Sequence, residues 1–183
     1  PIFILIGILV KLSSPGSVFY IQKRVGRNYR EFGCIKFRTM YKDADDLLPN
    51  LLEKYPLMRK EFEKDFKLRQ DPRITKLGRF LRRSSLDELP QFFNVLKGEM
   101  SVVGPRPIVS NEIIKYSLFM EEVISVRPGL TGLWQVSGRN NLSYKKRVEL
   151  DLFYARNRNF LLDLEIIILT LGVLLFPMDR GAF

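Results

Sequence analysis

The octapeptide SSLDELPQ, residues 84–91, sets two carboxylates, Asp87 and Glu88, side by side just ahead of Pro90. Ser85-Leu86-Asp87-Glu88 fits the S-x-x-E capping box, in which the two side chains exchange hydrogen bonds with free backbone N–H groups at a helix start. Proline is tolerated only within about the first turn, so the spacing predicts a helix that begins near Leu86 and stops at Gly98. The same geometry could do chemistry. A helix N-terminus carries roughly half a positive charge, which keeps an aspartate ionised and also attracts phosphate. Directly upstream, Arg79, Arg82 and Arg83 form a basic cluster that could neutralise a diphosphate and let a carboxylate approach phosphorus. Glu88 points in a different direction and could hold Mg²⁺, which takes one or two protein carboxylates and fills its shell with water and substrate phosphates.

Composition narrows the alternatives. The chain has no histidine, which removes His-based acid/base work, Ser-His nucleophiles and His-ligated zinc together. Lys and Arg number 30 against 20 Asp and Glu, so the net charge is +10 and the partners are anionic: nucleic acid, phosphorylated metabolites or acidic lipid headgroups. The aromatics are mostly Phe at core-like spacing and are not interleaved with Lys and Arg as stacking platforms, which argues against a nucleic-acid module. A silent membrane-surface scaffold would keep the charge but has no need of LDE beside clustered arginines. Cys34 is the only cysteine, so no internal disulfide forms, and a reducing compartment fits. At 183 residues and 46% hydrophobic, one globular domain is expected.

Several elements must position these groups. PIFILIGILVKL opens the chain, but at ~1.5 Å per residue its apolar stretch reaches only about 15 Å as a helix, half a bilayer core. After the break at SSPGS, VFYIQKRVG and EFGCIKFRTM read as a β-hairpin. Residues 42–69 hold seven acidic and seven basic residues among spaced apolar ones, the mark of amphipathic helices, which Pro49 and Pro56 should cut. Thr75 can cap a helix through KLGRFLRR, with Lys76, Arg79 and Arg83 on one face and Leu77, Phe80 and Leu81 on the other. SVVGPRP reads as a proline-stiffened loop that could aim Arg106 at a phosphate. Helix is expected over 110–125 and again over 144–158. Between them VRPGLTGLWQVSGRNNLS is too irregular for a helix; Arg127 and Arg139 bracket its glycines, and Trp134 reads as a core anchor. The apolar run after Glu165 is too short to cross a bilayer.

SSLDELPQFFNVLKGEMSVVGPRP, with KFRTM before it and VRPGLTGLWQVSGRN after it, closely resembles the bacterial sugar transferase family, the monotopic phosphoglycosyl transferases. Four separated motifs occur in the family's order, and the DADDLLPNLLEKYP insert and RGAF ending look like its larger members. The resemblance implies transfer of a sugar-1-phosphate from a UDP-sugar, such as UDP-galactose, to undecaprenyl phosphate with release of UMP and with Mg²⁺. It places the nucleophile on Asp87 and the metal on Glu88, and phosphate-binding cations on Lys36 or Arg38, Arg82, Arg106 and Arg139. It also implies a re-entrant membrane helix bent at a Ser-Pro, of which residues 1–12 would be the returning half and residues 13–183 the catalytic domain. The location is then the cytoplasmic face of the bacterial inner membrane, against membrane lipids and without nucleic acid, with a homodimer left open. The fold class expected is α/β, mainly helical, with a small antiparallel sheet from residues 18–40 and a second strand segment near 130–137.

Overall fold

The proline-free apolar run after Pro1 folds as α1 (Ile2–Ser13) in the computed structural model, which describes every residue except 66, 67, 69, 139–141 and 176–183. The chain divides into two compact units, Pro1–Tyr20 with Phe37–Asp87, and Ile21–Lys36 with the described chain from Glu88 onward.

The first unit continues from α1 into the open end of a hairpin, β1 (Phe19–Val25) and β2 (Glu31–Phe37), and then α2 (Ala44–Lys54), α3 (Pro56–Asp65) and α4 (Lys76–Arg83). α1 packs on α4 and buries only Ile6 and Val10, one turn apart. Phe37 is fully buried, its ring 5.4 Å from that of Phe19 and 5.8 Å from that of Phe3. Pro49, expected to end a helix, sits inside α2: it forfeits one hydrogen bond, and the break comes at Pro56, the first residue of α3. Thr75 does cap α4, its hydroxyl accepting from Gly78 N at 2.8 Å. Gly78 is required there because a Cβ would overlap the Thr39 carbonyl. Lys76, Arg79 and Arg83 face solvent, but so does Phe80, since so short a helix buries little beyond Leu81.

The second unit holds the hairpin turn, α5 (Phe92–Leu96), β3 (Ser101–Val103), α6 (Ile113–Tyr116), α7 (Met120–Ile124), β4 (Gly129–Thr131), α8 (Leu133–Ser137), α9 (Tyr144–Asn157) and α10 (Phe160–Leu175). Helix over 110–125 is present but broken into short pieces, and α8 forms inside the stretch expected to be all loop. β4 falls where a second strand was expected, yet it pairs in parallel with β3, Ser101 opposite Gly129 and Val103 opposite Thr131. Among the described residues the hairpin supplies the antiparallel sheet, and the chain is mainly helical α/β as expected. Glycines dictate the β3–β4 approach. A Cβ on Gly104, Gly129 or Gly132 would overlap backbone atoms of the facing segment. Val25, Ile108, Tyr116, Met120, Val148 and Leu152 form one core cluster, and Val103, Tyr154 and Ile166 another.

Asn94, 0% exposed, acts as a piece of strand: its Oδ1 accepts from Ile35 N at 3.1 Å and its Nδ2 donates to Gly33 O at 2.8 Å. It ties β2 to α5. Asn94→Ala leaves a half-buried N–H and a carbonyl unpaired and should lower stability by about 2 kcal/mol, read from urea denaturation.

No helix of the described residues is long and apolar enough to cross a membrane. α1 nevertheless exposes Ile4, Leu5, Ile8 and Leu12, and α10 exposes Phe160, Leu164, Ile168, Leu171 and Leu175, each set along one helix face.

Candidate functional site

Ser85 takes the left-handed backbone, φ +57, and not the extended backbone from which an N-cap serine accepts, so SSLDE does not fold as a capping box. The chain then winds as a 3₁₀ turn over Leu86–Gln91, Pro90 within it, and becomes α-helical only at Phe92. Gly98, φ +74, follows the end of that helix as the spacing predicts. A helical segment therefore starts where expected, but a turn this short aligns few peptide dipoles, and the field assigned to Asp87 and Glu88 shrinks accordingly. Asp87 closes the first unit and is 7% exposed.

Glu88 opens the second unit, and its carboxylate, 34% exposed, accepts from Lys36 Nζ at 2.6 Å. The pair lies in a small, solvent-open pocket that Arg24, Gln91, Arg106 and Gln135 also line. Burial pushes the Glu88 carboxyl up, but Lys36, Arg106 and Arg24 outweigh it and hold it at about 2. Among the described lining residues three cations thus face one ionised carboxylate, an excess of positive charge that suits an oxyanion. Cys34 also lines the pocket, fully buried, and burial pushes its thiol up, so it packs and does not attack.

The expected cations separate. Lys36 and Arg106 reach the pocket. Arg38, the alternative to Lys36, does not: its guanidinium donates to the carbonyls of Val10, Ser14 and Pro15, capping the C-terminus of α1. Strand alternation would set residues 36 and 38 on one face, but β2 ends at Phe37 and Arg38 lies beyond it. Arg82, in the first unit, donates from Nε to Thr39 Oγ1 at 2.9 Å. Arg139 lies outside the described residues. Arg127 is exposed, and Trp134, 3% exposed, is a core anchor with the Arg106 guanidinium 5.8 Å over its ring.

Arg24, Gln91 and Gln135 were not singled out by the sequence. Arg24 is 8% exposed, donates to Pro107 O at 2.9 Å and to Gln22 Oε1 at 2.6 Å, and braces the backbone beside Arg106. The two-residue period of β1, which sets Gln22 and Arg24 on one side, was the available signal. Arg24 Nε and Gln135 Oε1 are buried without a hydrogen-bond partner among the described residues, a donor and an acceptor at the pocket wall. Among the described residues no group of three or more His, Cys, Asp or Glu could form a metal cage. One ionised glutamate fits a Mg²⁺ carried in on substrate phosphates.

Residues 1–177 match the family described as bacterial sugar transferase. The chain is 51% identical over 160 residues to the undecaprenyl-phosphate galactose phosphotransferase of Salmonella typhimurium, covering 87% of this chain and 34% of that protein. An uncharacterized sugar transferase of Haemophilus influenzae is 52% identical with the same coverage. The exopolysaccharide production protein ExoY of Sinorhizobium fredii is 45% identical over 100% of this chain and 80% of its own. The chain spans about a third of the length of the Salmonella and Haemophilus relatives. With the dyad, the GPRP loop and the glycine-rich segment all inside the matched range, the chain belongs to the bacterial sugar transferase family.

Proposed function

We propose that the protein moves a sugar-1-phosphate from a UDP-hexose to undecaprenyl phosphate, releasing UMP, as the first membrane step in making a surface polysaccharide. The observation that carries this reading is the pocket where Arg24, Lys36 and Arg106 surround an ionised Glu88, the residue directly after Asp87. The relatives' names, a galactose phosphotransferase acting on undecaprenyl phosphate and an exopolysaccharide production protein, point the same way.

In the first step an Asp87 carboxylate oxygen attacks the sugar-side phosphorus, forming a phosphoglycosyl-aspartate as the bond to the UMP oxygen breaks; Arg24, Lys36 and Arg106 neutralise the diphosphate. In the second, an oxygen of undecaprenyl phosphate attacks the same phosphorus and the Asp87 carboxylate leaves. The burial of Asp87 keeps water from the acyl phosphate between the steps. Glu88 would hold Mg²⁺, which supplies charge neutralisation to the phosphates when bound. The apolar faces of α1 and α10, together with a net charge of +10, suit an interface with anionic lipid on the cytoplasmic side of the inner membrane.

Intact-mass measurement after mixing the protein with UDP-galactose and Mg²⁺, with no lipid acceptor, tests the reading. A hexose-phosphate adduct mapped to Asp87 is expected; a stable unmodified mass alongside UMP release would rule out the covalent route.

A further inference from the structure

The two hydrogen bonds by which Asn94 holds Gly33 and Ile35 fix the end of β2 against α5, and Lys36, the next residue, meets Glu88 in the turn that leads into that helix. The Lys36 ammonium donates to Glu88 Oε1 at 2.6 Å, and among the described residues it is the hydrogen-bond partner Glu88 has. With 17% of the lysine and 34% of the glutamate side chain exposed, the pair is covered well beyond an ordinary surface contact. Glu88 is also the carboxylate a metal would need. An ammonium bonded to one of its oxygens sets a positive charge beside the other, so a lysine and a divalent cation compete for the same group. The wider charge acts in the same sense. Arg24, Lys36 and Arg106 against Glu88 leave three cations facing one carboxylate among the described lining residues. A lone divalent cation enters against that field, whereas one that arrives with a diphosphate does not.

We propose that Lys36 holds the metal's place at Glu88, and that the donor's diphosphate, by drawing the Lys36 ammonium onto its own oxygens, opens Glu88 to Mg²⁺. Metal capture is then conditional on the donor: the empty protein holds a divalent cation poorly, and the diphosphate binds first or together with it. Lysine suits this exchange because its charge is compact and sits on a flexible four-carbon stem, free to pass from one oxygen to another, where the planar fork of an arginine would lock onto the carboxylate. No covalent bond changes in the step. The ammonium leaves a carboxylate oxygen for a phosphate oxygen, and the vacated oxygen takes the metal. That the releasing anion is a UDP-hexose rests on the donor reading above; the competition between Lys36 and a metal for Glu88 does not.

Mn²⁺ takes oxygen ligands as Mg²⁺ does, and its free ion is read by electron paramagnetic resonance, so the competition can be measured with neither donor nor turnover. The wild-type protein should bind Mn²⁺ weakly. Lys36→Met should bind it about ten-fold more tightly, and adding Glu88→Gln to that variant should abolish the gain. Arg106→Met removes an equal charge from the pocket and leaves the Lys36–Glu88 hydrogen bond in place, so its gain should stay within about three-fold. Three results overturn the inference: no gain in Lys36→Met, a gain that survives Glu88→Gln, or an equal gain in Arg106→Met, which would make the lysine one part of a general field. If Lys36→Met does not fold, the Asp87→Asn protein decides, because it binds the donor without consuming it. UDP-galactose should then tighten Mn²⁺ binding to the protein beyond what the metal–nucleotide complex in solution accounts for, and an unchanged affinity overturns the release of Lys36 by the donor. Failure of UDP-galactose to bind at all would sink the donor reading and leave the metal-only comparison of Lys36→Met with wild type standing.

Discussion

Asp87→Asn will give no hexose-phosphate adduct and will turn over at least about 10³-fold more slowly than the wild type, with its fold intact. Asparagine has the shape of aspartate and no carboxylate, so it cannot form an acyl phosphate, and removing a covalent nucleophile typically forfeits several orders of magnitude. The side chain is 7% exposed, and an isosteric amide there opens no cavity. Exchange separates a covalent relay from direct transfer between two bound substrates. With UDP-galactose, Mg²⁺ and labelled UMP but no lipid, the wild type will put label into UDP-galactose, because the first step runs backward from the phosphoglycosyl-aspartate. The variant will not. Exchange that persists in Asp87→Asn would move the phosphorus to another side chain or to none.

Much of the frame was legible because it rests on short-range preferences. Thr75 caps its helix, Gly98 takes a left-handed backbone, and the hairpin lies in the stretch where alternation placed it, each decided within a few residues of chain. The misreadings come where a distant partner decides. The S-x-x-E pattern at Ser85 is a cap only if the serine is extended, and its φ of +57 instead bends the chain into a 3₁₀ turn. Arg38 and Lys36 are two residues apart in one motif, yet one serves the carbonyls ending α1 and the other Glu88. Arg24 braces Pro107 from 83 residues away, and no local pattern encodes such a pairing. The parallel register of β3 and β4 depends on three glycines that read in sequence as parts of two separate loops, one of them stiffened by proline. In the pocket itself, Glu88, Lys36 and Arg106 were visible as charged residue types in motifs, whereas the neutral wall of Gln91 and Gln135 had no chemistry of its own to announce it.

Lys36→Met should lower kcat/KM for UDP-galactose about 10²-fold and add an acid limb to the pH profile that the wild type lacks. The Glu88 carboxyl is pushed up by burial and pulled down chiefly by Lys36, through charge and through the 2.6 Å hydrogen bond, with Arg106 and Arg24 assisting. At about 2 it stays ionised throughout the working range, so wild-type activity owes no loss near pH 5 to this group. A neutral side chain of similar length removes the strongest downward pull, and burial then drives the carboxyl upward, so that Glu88 begins to take up a proton as the medium is acidified. The linkage has a matching sign. A carboxyl held below its unfolded value of 4.5 contributes stability that is present above that value and is lost as the pH falls toward about 2, so the variant should be less stable than wild type near neutrality. Turnover and thermal unfolding measured together between about pH 5 and 8 decide the point. A Lys36→Met enzyme whose activity falls by the same factor at every pH would show that Lys36 serves the donor's phosphates alone and leaves the ionisation of Glu88 to the two arginines.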